Sequence, residues 1–90
     1  MSNEEAVIRG QRAERLVKDE LYAESWEKVR QAIFAAWEKA PVRDTEGRER
    51  LFLMLKALND AKGALEQVMN DGKVAQHLVE EKRRFMKVFR

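Results

Sequence analysis

Between Tyr22 and Ala40 the apolar residues Tyr22, Trp26, Val29, Ile33, Ala36 and Ala40 recur at spacings of 4, 3, 4, 3 and 4, with Leu21, Phe34 and Trp37 widening the stripe. That interval keeps every member on one side of an α-helix. Two tryptophans and a phenylalanine make the side strongly apolar, and the pattern assigns it to the core. A second series, Leu51, Met54, Leu58, Ala61, Leu65 and Val68, repeats at 3, 4, 3, 4 and 3, a heptad rhythm of the coiled-coil kind. Within it Leu51-Phe52-Leu53-Met54-Leu55 is an unbroken apolar run. Five consecutive positions wrap more than one helical face, so the run needs cover beyond a single partner helix: the N-terminal helix or a second subunit.

The two series meet at "APVRDTEGRERLFLMLKAL", Ala40 to Leu58, which holds the only proline. Pro41 lacks the donor that would continue a helix and disfavours helical geometry at Ala40. Asp44 stands where an N-cap belongs, ahead of Thr45 and Glu46, with Gly47 tolerated in the first turn. A stop, a short crossing and a new start place residues 20–40 antiparallel to 44–71.

Two further helices flank this corner. Ser2 or Asn3 followed by Glu4 and Glu5 opens the first, about 3–18, because a capping side chain and acids suit a helix N-terminus. Its apolar content, Val7, Ile8, Ala13, Leu16 and Val17, is narrow, and Gly10 costs about 1 kcal/mol against alanine, so this helix must dock on something. Asp19 caps the next helix. Asn70-Asp71-Gly72 reads as a C-cap, which predicts a break and a terminal helix over 73–87; a helix continuous through Gly72 is the competing view. Gly63, near Ala61 and Ala64, marks either a close helix–helix approach or mere tolerance of glycine. The expected fold is all-α and one domain over 1–90. It is an antiparallel hairpin with flanking N- and C-terminal helices, completed as a bundle by oligomerisation.

Composition sharpens this. With 44% hydrophobic and 38% charged residues the chain resembles long helices with solvated faces. The absence of cysteine removes disulfides, thiolate metal sites and thiol nucleophiles, which suits an intracellular protein. The first nineteen residues hold four acids and no apolar run, so no signal peptide is expected, and no segment approaches the ~20 apolar residues of a membrane span. The net charge of +2 is uneven: residues 73–90 carry six bases and two acids, and the rest is −2.

Candidate chemistry is thin. One histidine, two serines and no cysteine assemble no triad, and acid pairs such as Glu4-Glu5 or Glu80-Glu81 point to different sides of a helix. His77 with Glu80 or Glu81 is at best half a metal site. Gly47, Gly63 and Gly72 are scattered, unlike a phosphate loop. No catalytic residue, cofactor or metal is assigned, and no enzyme is expected. Lys82, Arg83, Arg84, Lys87 and Arg90 form a basic end interleaved with Phe85 and Phe89, the candidate contacts for nucleic acid, while Arg9, Arg12, Arg15 and Lys18 make a helical ladder interrupted by Glu14 and Asp19. Bases in a last turn also suit the helix dipole. Phe85, Met86, Val88 and Phe89 are many large apolar side chains for a free end. The expected interface residues are Phe52, Leu53 and Leu55 at the run, and Phe85, Met86 and Phe89 at the tail.

"GQRAERLVKDEL", "APVRDTEGRERLFLMLKAL" and "DGKVA" together resemble small helical proteins encoded by tailed bacteriophages and prophages, in the gene region for head assembly and packaging. The resemblance spans most of the chain and rests on structural corners, not catalytic signatures. In that family a proline-containing break often follows the first helix where this chain has Asp19-Glu20, which leaves that boundary open. The resemblance implies virion assembly or DNA packaging, phage structural or packaging proteins as partners, and a place in the bacterial host cytoplasm or the virion. The expected function is a non-enzymatic assembly or adaptor protein, a homo-oligomer without membrane contact. The alternative is a nucleic-acid-binding accessory similar in role to a small packaging subunit.

Overall fold

The computed structural model describes residues 1–88 and shows three α-helices with no strand among them: α1 (Asn3–Lys18), α2 (Glu20–Lys39) and α3 (Thr45–Val88). The expected Phe89 and Arg90 contacts lie outside the described residues. Each start is built by a short polar side chain. Ser2 Oγ accepts from the Glu5 amide at 3.2 Å, Asp19 Oδ1 from the Tyr22 amide at 2.9 Å, and Asp44 Oδ1 from the Gly47 amide at 2.9 Å. All three satisfy donors that the first helical turn leaves orphaned. Asp19 alone separates α1 from α2, and its extended backbone, φ −69° and ψ 124°, breaks the helix without a proline. Ala40 leaves α2 in the extended conformation that a following proline favours.

Beyond Gly72 the expectation fails. The helix does not break there; α3 runs unbroken to Val88, and none of the described residues has a positive φ. The physical reason is tertiary. Gly72 is buried against Gly10 of α1, so the glycine serves a close crossing and not a left-handed cap. Gly63, in contrast, has no heavy atom near its missing Cβ, which rules out the close approach considered for it.

Contacts group the chain into two compact units. The first joins Met1–Val17 to the chain from Ala64 onward. Here α1 and α3 run in opposite directions: Glu4 shares a recess with Val79, Lys82 and Met86, Gly10 meets Gly72, and Arg9, Arg12, Ala13 and Leu16 share another with Leu65 and Val68. Gly10, Ala13, Gly72 and Ala75 are the buried residues of this contact. Small residues at i, i+3 let two helices approach closely, but they remove little apolar surface from water.

The second unit, Lys18–Gly63, takes α2 and the opening of α3. Its one buried side chain is Ile33. Of the expected series on this part of α3, Leu51 and Leu58 are half-buried, as is Leu55, while Met54 and Ala61 are exposed. The assignment of the α2 stripe to the core is therefore corrected: Tyr22 and Trp26 are half-buried, whereas Phe34 and Trp37 are exposed. Their ring pair, Tyr22 and Trp26, meets edge to face at 5.7 Å and 71°. Two helices offer each other one side only, and a stripe as broad as this one extends past it.

Candidate interaction site

Ile33, Phe34 and Trp37 of α2 and Leu51, Phe52 and Leu55 of α3 line an open apolar groove of about 180 Å³ within the Lys18–Gly63 unit. Ile33 forms the covered floor. Phe34, Trp37 and Phe52 remain 41%, 51% and 63% exposed, far more than rings of this size show in a closed core. The groove exists because its members fall at helical intervals: Phe34 and Trp37 are i, i+3, Leu51 and Leu55 are i, i+4, and Phe52 and Leu55 are i, i+3. The Arg30 guanidinium lies 5.5 Å from the centre of the Phe34 ring and 3.9 Å from a Glu27 carboxylate oxygen. One edge of the groove is thereby polar and charge-compensated.

The structure brings together two of the three residues expected at the apolar run. Phe52 and Leu55 line the groove; Leu53 does not. At about 100° per residue, Leu53 projects far around the helix from Leu51 and Leu55, and it is exposed on its own account. Phe34 and Trp37, assigned to the core by the stripe, line the open groove instead. Their i, i+3 aromatic spacing was visible, but no sequence pattern states that two helices leave such a pair half wet.

At the other expected interface, Phe85 and Met86 are both exposed. Met86 and Val79 form the apolar part of a recess of about 430 Å³ that also includes Glu4, Lys82, Arg83 and Lys87. Of the expected nucleic-acid contacts, Lys82, Arg83 and Lys87 share this recess, while Arg84 turns to Glu81, its Nη1 3.4 Å from the carboxylate oxygen. His77 Nε2 stands 4.0 Å from the same Glu81 oxygen on an exposed surface. Among the described residues no group of three His, Cys, Asp or Glu side chains is arranged to hold a metal ion, and no helix is long and apolar enough to cross a membrane.

The groove can take apolar or aromatic side chains into a largely preformed slot and offer ion pairs at its edge, which is the chemistry of a helix-in-groove contact. Compared with known proteins, the chain matches no protein-family model, no curated protein and no solved structure.

Proposed function

We propose that this chain is a non-enzymatic helical assembly or adaptor protein that works through protein–protein contacts. One observation carries the reading. Ala13, Ile33 and Ala75 are the buried apolar side chains among the described residues, while Phe34, Trp37, Phe52, Leu53, Phe85 and Met86 stay exposed. Burying a single isoleucine contributes about 2 kcal/mol, while ordering the backbone costs about 1–2 kcal/mol for every residue. A chain that hides so little of its apolar surface gains its remaining stability from another polypeptide. On this reading α2 and the first part of α3 form an antiparallel hairpin, completed as a bundle by self-association, and the α3 tail docks further proteins.

The setting proposed is the assembly or packaging machinery of a tailed phage or prophage, in the bacterial host cytoplasm or the particle. Its support is the resemblance carried by "GQRAERLVKDEL" and the Pro41 corner. A second reading, contact with nucleic acid, is favoured by Lys82, Arg83 and Lys87 standing around one recess. It is weaker because Glu4 shares that recess and Arg84 is engaged by Glu81.

Light scattering on the purified protein tests the main reading, together with binding of a dye that fluoresces on apolar surface. A defined oligomer with little dye binding is expected. A stable monomer that binds no dye overturns the reading, since its apolar surface would need no partner.

A further inference from the structure

We infer that the groove between α2 and the opening turns of α3 is closed by the same groove of a second copy of this chain. The product is a two-fold dimer whose four helices enclose Phe34, Trp37 and Phe52. This rests on the assembly reading above and deepens it by naming the surface and the symmetry of the self-association.

The argument begins with what the Lys18–Gly63 unit lacks. It is close to the size, about 40 residues, below which a fold needs a disulfide, a metal or association. It contains no cysteine, and the described residues hold no metal-ligand cluster. Association is the remaining device. The unit has two helices and one buried side chain, Ile33, whereas a four-helix bundle surrounds a core on all sides. A second copy supplies the missing pair.

Charge permits that copy and disfavours a polyanionic partner. Lys18–Gly63 contains nine acidic and nine basic side chains, so two copies approach without net repulsion. A polyphosphate or an anionic lipid surface would find no excess positive charge there. Near the groove rings the balance holds locally. Glu27, Arg30 and Glu38 lie at i−7, i−4 and i+4 from Phe34, and Arg48, Glu49 and Lys56 at i−4, i−3 and i+4 from Phe52. A two-fold interface sets one patch against itself and so requires both signs in that patch.

Area agrees. Rings that bury 150–250 Å² in full and are half exposed here contribute roughly 100 Å² each, so Phe34, Trp37 and Phe52 give about 600 Å² across two copies. Leu51, Leu55 and the stems of the rim residues bring the total to the order of 1,000 Å², where specific interfaces begin.

The test uses the full chain carrying Trp26→Phe, which leaves Trp37 as the one tryptophan. Sedimentation equilibrium and Trp37 emission are measured over the same dilution series. The expected result is twice the chain mass at high concentration, with emission moving to longer wavelength as the mass halves. Phe52→Glu should raise the dissociation constant by roughly 100-fold or more. Should that variant lose its helical signal, the dilution series still decides, because it needs no change at the interface. A mass that halves on dilution while Trp37 emission stays put, or an oligomer whose mass is not twice the chain, overturns the groove pairing and leaves the assembly reading standing. A monomer at every concentration overturns the pairing, and if it also binds no apolar dye it overturns both.

Discussion

A Cβ placed on Gly10 would lie 2.6 Å from the Cα of Gly72, and one placed on Gly72 would lie equally close to the Cα of Gly10. Both neighbours are backbone, so neither can rotate away. The crossing of α1 over α3 therefore depends on two hydrogen atoms where any amino acid but glycine has a carbon. Gly72→Ala gains about 1 kcal/mol of helix propensity and loses more than that by forcing the helices apart. We expect a net loss of about 1–3 kcal/mol, in the range of overpacked contacts. Gly63→Ala is the control: with open space around it, it should gain up to about 1 kcal/mol. Urea unfolding followed by circular dichroism at one fixed protein concentration compares the two, and equal effects would deny the crossing its role.

The cap at the Pro41 corner gives a second expectation. Asp44 accepts the Gly47 amide and, through its carbonyl, the Arg48 amide at 3.2 Å. Asp44→Ala removes the side-chain acceptor and should cost about 1 kcal/mol, while Asp44→Asn keeps an acceptor and should cost less. A Cβ on Gly47 would run into the Asp44 carboxylate, so Gly47→Ala should lose the cap's about 1 kcal/mol, which offsets the about 1 kcal/mol that alanine gains over glycine in a helix, for no net gain. If Gly47→Ala is stabilising in thermal unfolding, the carboxylate does not hold that position.

Legibility in the sequence followed the range of the interaction. The caps at Ser2, Asp19 and Asp44, and the stop before Pro41, are decided within four residues of chain, and the sequence shows them. Gly72 is the opposite case. Asn70-Asp71-Gly72 is locally a stop signal, yet its outcome is set by Gly10, far away in sequence, and the crossing overrides the local preference. The groove was half legible for a related reason. Periodicity identifies which residues share a face, so Phe52 and Leu55 stood out. It does not count how many helices arrive to cover that face, so it assigns Phe34 and Trp37 to the core.

The basic end separates the two functional readings. If nucleic acid binds at Lys82, Arg83 and Lys87, the logarithm of affinity falls with the logarithm of salt by about 0.9 for each phosphate neutralised. Lys82→Ala with Arg83→Ala should then flatten that slope by roughly two contacts, and Arg84→Ala by less, because Glu81 already engages it. The assembly reading expects no DNA complex to survive at physiological salt. Mobility shifts across a salt series check this, and a tight complex that loses affinity in the double variant would promote the alternative.

Ile33 and Phe52 line the same groove but differ in how far the chain itself covers them, and this difference makes the last prediction. Ile33→Ala removes packing that exists within one copy, so it should cost about 2–4 kcal/mol at any protein concentration. Phe52→Ala removes mostly exposed surface from a lone chain and should cost little when dilute. Where two copies pair, the same substitution deletes buried apolar area, and binding of a partner adds to stability by mass action. The gap between wild type and Phe52→Ala should therefore widen as protein concentration rises, while the gap for Ile33→Ala should hold nearly constant. Unfolding midpoints measured over a hundredfold concentration range decide it. Parallel curves for both variants would mean that Phe52 faces water in the working protein, and that its partner must be sought on another surface.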